Sequence, residues 1–302
     1  MIKKIKRRLD MLFSDWRWWG FYLQRQFMHP AMRRRLSAYV ASRRPKHTAA
    51  VPHEAVGVAC AELGSSGIAM LGELLDKQAC KELHDYFGQR LVYDPYRQGS
   101  ANFLPDGAGR HPSAHIAHHT AEDVLRAPYL LALANSPRIL AIAAGFLGCK
   151  PTIGYLAAWW SYPTDVGAQQ AERFHRDVDD WKFVKLFVYL SDVDASSGPH
   201  IYVRNSSNSP ILVNTKRLAD DEVIRAFGAA NVLTMTGEAG QGFMEDTFGI
   251  HKGQPVERGR RLVFQVVYGI SPLPYSPMGP VLRSSEVSVK GLDLWINRAY
   301  LN

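Results

Sequence analysis

Two short stretches hold the side chains best able to do chemistry: Phe174-His175-Arg176-Asp177 and, far downstream, Ile250-His251-Lys252-Gly253. On an extended strand, residues two apart point the same way. His175 and Asp177 therefore share a face, and Arg176 takes the other. Two imidazoles and one carboxylate on one side of a ferrous ion leave its remaining positions open to a co-substrate and dioxygen. His-x-Asp alone is a weak signal, and a lone histidine is weaker. The joint pattern is stronger: His-x-Asp, a turn at Gly198-Pro199, a late His251, and Arg260-Arg261 opening the last strand. Alternation lets only one of these two arginines face inward.

These groups need elements to hold them. GIAML from Gly67 reads as a strand, and Asp76 caps a helix whose apolar face is Ala79, Cys80, Leu83 and Phe87. Residues 95–119 read as a loop with Arg110, His111, His115, His118 and His119. No carboxylate or cysteine stands among these histidines at ligand spacing, so the loop is expected to line a substrate mouth rather than bind metal. Thr120 with Asp123 opens a helix that Pro128 breaks. Ser136-Pro137 opens another, with Ile139, Leu140, Ala143 and Leu147 inward and Gly148 as its stop. After that come short β-branched and aromatic runs separated by turns, including a strand at 242–250, with one helical insertion near 215–227. Helices first and strands afterwards predict an α+β fold with a β-sandwich or jelly roll. The polar residues nearest the metal strands are Lys182, Lys185, His200, Arg204 and Gln265. Lys182 and Lys185 cannot share a face, so at most one of them meets the metal.

The 302 residues suffice for one large core or two modest ones. The sequence has no run of about 18 apolar residues and no secretory core, so no spanning helix is expected. Cys60, Cys80 and Cys149 are odd in number and widely spaced, which reads as reduced thiols in a cytoplasm. Residues 1–50 carry thirteen Lys and Arg against Asp10 and Asp15, or +11, whereas the other 252 residues sum to −3. The basicity belongs to an arm, and the expected division is arm 1–50 and body 51–302, with a linker at 45–53. Ile2, Ile5, Leu9, Leu12, Trp16, Trp19, Leu23 and Phe27 would line one face of a helix. Two readings stay open: that face docks on the body, or it lies in an anionic membrane surface through residues 1–35. No nucleic-acid partner is expected, because no binding motif accompanies the charge.

FHRD at 174–177, YLSDVDASSGPHIYV at 189–203 and GIHKGQPVERGRRLVFQVVY at 249–268 resemble the phytanoyl-CoA dioxygenase-like branch of the iron(II)/2-oxoglutarate-dependent dioxygenases. The resemblance covers residues 66–270. It implies a double-stranded β-helix core, related to jelly rolls and cupins, behind preceding helices. It implies His175, Asp177 and His251 as the iron ligands that carry catalysis. The cofactors it implies are iron(II) and 2-oxoglutarate, with ascorbate a candidate reductant. Arg260 or Arg261 would pair with the distal carboxylate of 2-oxoglutarate, and the family's usual order favours Arg260. The carboxylate at Asp177 implies hydroxylation rather than halogenation. Lys182, Lys185, His200 and Arg204 are candidate contacts for an anionic small molecule or glycolipid. Within the family the chain is most similar to Kdo hydroxylases, which act on the acidic sugar of lipopolysaccharide. That implies a cytoplasmic protein, peripheral on the inner membrane face, which deletion of residues 1–30 should release from membranes without abolishing turnover of soluble substrate analogues. Hydroxylation of an acyl-CoA or small metabolite, or a non-catalytic jelly roll binding metal or glycan, are the alternatives.

Overall fold

The computed structural model describes residues 10–48, 53–97 and 99–302. Among them the strands are β1 (Ile68–Glu73), β2 (Ile116–His118), β3 (Thr152–Ser161), β4 (Phe183–Tyr189), β5 (His200–Val203), β6 (Val232–Met235), β7 (Gln241–Glu245), β8 (His251–Gly253) and β9 (Arg261–Gly269). They form a larger sheet in the order β1-β7-β4-β9-β3-β2 and a smaller one in the order β6-β5-β8. Every pairing is antiparallel. Two such sheets preceded by helices match the expected α+β class.

The larger sheet is covered on both faces, so all nine positions of β9 are buried. Alternation sorts them. Leu262, Phe264, Val266 and Tyr268 meet Leu83, Phe87, Leu140 and Ala143 from the helices. Val263 instead joins Phe187, Tyr189 and Phe243 against Tyr202 and Met235 of the smaller sheet. The odd positions of β9 therefore line the space between the sheets, and Arg261 is one of them.

Helix ends follow their side chains. Asp76 accepts from the Ala79 N–H at 2.7 Å, and Thr120 from the Asp123 N–H at 3.1 Å. Gly148, at φ 80°, ends Pro137–Leu147 in the left-handed region that glycine adopts without strain. Residues 130–147 have the mean hydropathy, 1.6, and the length of a membrane span. They are broken at Ser136-Pro137 into Leu130–Ala134 and Pro137–Leu147, and 61% of the segment is buried in the core.

Several expectations need correction. The predicted strand 242–250 stops at Glu245, because the Asp246 carboxylate accepts from Phe248 N–H and its carbonyl from Gly249 N–H. That turn carries the chain to the other sheet, where His251 opens β8. The helical insertion is shorter than expected, Asp220–Phe227. The expected linker is tied down in part: Pro45 O accepts from Lys150 N–H and Lys46 Nζ reaches Gly148 O. Helices Pro30–Ser42 and His53–Ser65 had no periodic signal. The first buries Pro30, Arg33, Ser37 and Ala41, a face too small and polar to stand out. The arm helix is Arg17–Gln24 and buries Arg17 and Gln24, while Trp16, Trp19 and Leu23 face solvent. Ile2, Ile5 and Leu9 lie outside the described residues.

Candidate metal centre

Residues 174–178 run antiparallel to 247–251. His175 and His251 exchange both backbone hydrogen bonds, at 2.9 and 3.0 Å, and Asp177 N–H donates to Thr247 O at 2.9 Å. This pairing sets the late histidine directly across from the His-x-Asp segment. One ligand atom from each of His175, Asp177 and His251 lies within 4.8 Å of the others. The Nε2 atoms of His175 and His251 stand 3.5 and 3.2 Å from the two oxygens of Asp177.

Each imidazole is oriented from behind. His175 Nδ1 meets Arg173 O at 2.9 Å, and His251 Nδ1 meets Gly249 O at 3.0 Å. A carbonyl can only accept, so each Nδ1 carries a proton and each Nε2 is turned inward. Burial works against charge on His251, but Asp177 overcomes it and raises that imidazole, so its Nε2 offers a lone pair once a metal displaces the proton. Gly249 is required here by close approach, since a Cβ would overlap the Tyr202 hydroxyl. The histidine side chains are 6% and 5% exposed and that of Asp177 21%, so the centre opens beside the carboxylate.

Burial pushes the His175 imidazole down to about 3, with His251 adding to the effect, so His175 is neutral and able to ligate. Burial works against charge on Asp177, but Lys185 and His251 overcome it and hold the carboxyl well below its usual range. Lys185 Nζ sits 2.6 Å from Asp177 and 3.1 Å from Asp179. Burial disfavours its charge, and the two carboxylates reverse that and raise it. Burial raises Asp179, whose carboxylate faces the Tyr275 hydroxyl.

Arg176 points away from the centre, as alternation requires. Its buried guanidinium donates to Leu212 O, Ser206 O, Phe248 O and Ile211 O at 2.6 to 3.1 Å. It ties loop 206–212 to the ligand-bearing turn.

The preference for Arg260 is corrected. Arg260 donates to Pro105 O and lies 4.5 Å over the Trp160 ring, on the helix side of the sheet. Arg261 is on the inner face, 7% exposed, with one nitrogen 3.1 Å from Ser161 Oγ and its Nε without a partner. A Cβ on Gly253, two residues after His251, would lie 3.8 Å from its guanidinium. A buried cation with an unfilled donor beside the ligand strand suits a carboxylate.

Of the other candidates, Lys185 and His200 stand at the centre. The His200 ring is 5.6 Å from that of His251 and its Nε2 is 2.9 Å from Glu245. Burial keeps it below its usual value although Glu245 pulls the other way. Two candidates are displaced. Lys182 lies on the outer face, 4.2 Å over the Phe146 ring, and Arg204 is exposed at the end of β5. Gln265 faces inward, opposite Ala157 and Phe187. Of the histidines at 111–119, His111 is exposed, whereas His115 stacks on Tyr96, His118 in β2 stacks on Trp159, and His119 accepts from Trp160 Nε1.

Sequence reasoning missed Glu245, Ser161, Asp179 and Tyr275. Glu245 was legible as the inward partner of Phe243 two positions earlier; the others had no local signal. It also missed a groove of about 690 Å³ lined by Arg173, Arg217 and Lys252, with Glu172, Asp220 and Glu257 among them. Arg173 and Lys252 adjoin the two ligand segments, and Arg217 is near enough to His175 to help lower it. Lys252 is engaged by Asp220 at 2.6 Å.

No protein-family model and no curated protein matches the sequence. Solved structures do match the fold. SnoN, a non-heme alpha-ketoglutarate-dependent epimerase from nogalamycin biosynthesis, is 16% identical over 72% of this chain and 84% of its own, with a TM-score of 0.53. EctD from S. alaskensis, solved with 2-oxoglutarate and 5-hydroxyectoine, is 18% identical over 74% of this chain and 82% of its own, with a TM-score of 0.52. The chain therefore has the double-stranded β-helix fold of these iron- and 2-oxoglutarate-dependent enzymes.

Proposed function

We propose that this chain is an iron(II)/2-oxoglutarate-dependent oxygenase that hydroxylates an unactivated C–H of an anionic substrate. The observation that carries the reading is the pair of Nε2 atoms, each oriented by an Nδ1–H bond, converging with Asp177 within 4.8 Å. His175, Asp177 and His251 would hold the iron, and Arg261 with Ser161 would take the distal carboxylate of 2-oxoglutarate. Iron with 2-oxoglutarate supplies the oxidising power, through decarboxylation to succinate. The chain's own residues orient and shield. Lys185 holds Asp177 in place, His200 stacks on the His251 ring beside Phe187, and both ligand histidines are buried from water.

Within this reading the substrate is a membrane-linked acidic glycolipid such as the Kdo sugar of lipopolysaccharide. The basic arm and the cations Arg173 and Arg217 in the groove support it. A test has two parts. Purified protein with iron(II) should convert 2-oxoglutarate to succinate without substrate, and His175→Ala should abolish this. Expression in a bacterium with unmodified Kdo should add one oxygen to the inner core, with the intact protein but not with His175→Ala. Succinate without that oxygen removes the glycolipid and moves the search to acyl-CoA and small anionic metabolites. Loss of both, with the protein folded and metal-loaded, removes the oxygenase.

A further inference from the structure

The arm helix Arg17–Gln24 is docked by Arg17, Gln24 and Phe21. Arg17 donates to Ser276 Oγ and Pro277 O, both at 3.0 Å, and Gln24 Nε2 to Val178 O at 2.8 Å. Phe21 meets the edge of Tyr275. The side turned to solvent is apolar as well. Trp16, Trp19 and Leu23, at three- and four-residue steps, are 72, 58 and 56% exposed, and Phe13 is 83% exposed. Trp19 Nε1 donates to Leu12 O at 3.0 Å, which holds that ring outward over the preceding turn. A soluble helix normally buries such a stripe, so an outward one marks an interaction surface.

Charge selects the occupant. The stripe sits in the stretch of +11, directly after Lys3, Lys4, Lys6, Arg7 and Arg8 and ahead of the exposed Arg34 and Arg35. A second copy would bring equal positive charge against it. An anionic bilayer surface meets both features, with indole rings at the headgroup boundary and cations on the phosphates. We propose that Phe13, Trp16, Trp19 and Leu23 form a membrane-docking face that seats the folded protein on an anionic leaflet. This inference stands apart from the reaction, because vesicle binding is read without turnover.

The experiment is co-sedimentation of the full chain with phosphatidylcholine vesicles, with and without phosphatidylglycerol. The full chain should bind only where phosphatidylglycerol is present. Trp16→Ser/Trp19→Ser should weaken this by roughly tenfold or more, because two exposed rings lose their apolar contact. Arg34→Gln/Arg35→Gln should weaken it by roughly fivefold per charge at low salt and by less as salt is added. Circular dichroism and cobalt(II) affinity should be unchanged in both variants, since all four residues are exposed. Equal vesicle binding by the chain and the tryptophan variant overturns the proposal, as does no binding by the chain itself. A dimer in sedimentation velocity that the tryptophan variant loses would assign the face to a second copy instead.

Discussion

Arg260 and Arg261 are adjacent, equally charged and differently placed. Arg261→Ala should raise the dissociation constant of 2-oxoglutarate by about 30-fold or more, the usual consequence of removing one partner of a buried charge pair. Arg260→Ala should change it little. Calorimetric titration of the iron-loaded protein checks this, and the reverse ranking would return the role to Arg260. Asp180 makes a different prediction. Burial pushes its carboxyl up to about 6, with the Ser271 and Trp181 N–H groups pulling the other way. A folded value above the unfolded one means that the stabilising contribution is full below about 4 and is lost as pH rises through about 6. The shift corresponds to about 3 kcal/mol. Asp180→Asn removes the charge and keeps one of the two acceptors, at a cost that does not vary with pH, because Oδ1 accepts from Trp181 N–H and Oδ2 from Ser271 N–H. The difference in urea stability between Asp180→Asn and the parent should therefore grow in favour of the variant from about pH 4 to pH 6. A difference that stays constant across that window would refute it.

At the scale of elements, the arm helix is part of the support for the metal strand. Gln24 and Arg25 both donate to Val178 O, one residue beyond Asp177, and Arg33 reaches Gln24 Oε1 and Asp180 O. Tyr275, against which Phe21 packs, faces Asp179, and Asp179 shares Lys185 with Asp177. Deleting residues 1–30 would remove this support as well as the arm's outward stripe. Gln24→Ala/Arg25→Ala leaves a buried carbonyl short of donors, at about 1–3 kcal/mol. It should also weaken cobalt(II) binding by about tenfold, as loss of an outer support does. A cobalt titration with unchanged affinity would show the helix to be a passive neighbour.

For the whole molecule, the centre is a junction. His175 and Asp177 lie on the segment leading into the larger sheet, and His251 opens β8 of the smaller one. An ion held by all three binds the folded chain and not the unfolded one. At about 100 times its dissociation constant, cobalt(II) should add about 2.7 kcal/mol, or roughly 5 °C in Tm for a chain of this size. Differential scanning fluorimetry with and without a chelator measures it. His251→Ala should remove the shift, whereas Trp16→Ser/Trp19→Ser should keep it.

Much of this was legible in the sequence because the signals were local. Asp76, Thr120, Ser136 and Gly148 act within one helical turn, and His-x-Asp specifies a shared face by the pleat alone. The strands from 152 to 268 announced themselves by β-branched and aromatic runs. What tertiary structure decided lies at longer range. Whether Arg260 or Arg261 faces inward depends on where β9 enters its register with β3, which pairs Arg261 with Ser161. Lys185 rather than Lys182 meets Asp177 because helices cover the other face of β4. His251 changed sheets at an Asx turn that the apolar run around it concealed. The arm's apolar stripe was visible as periodicity, but periodicity records only that a face exists. The hydrogen bonds of Arg17 and Gln24 to the distant residues 276 and 178 turned that face outward.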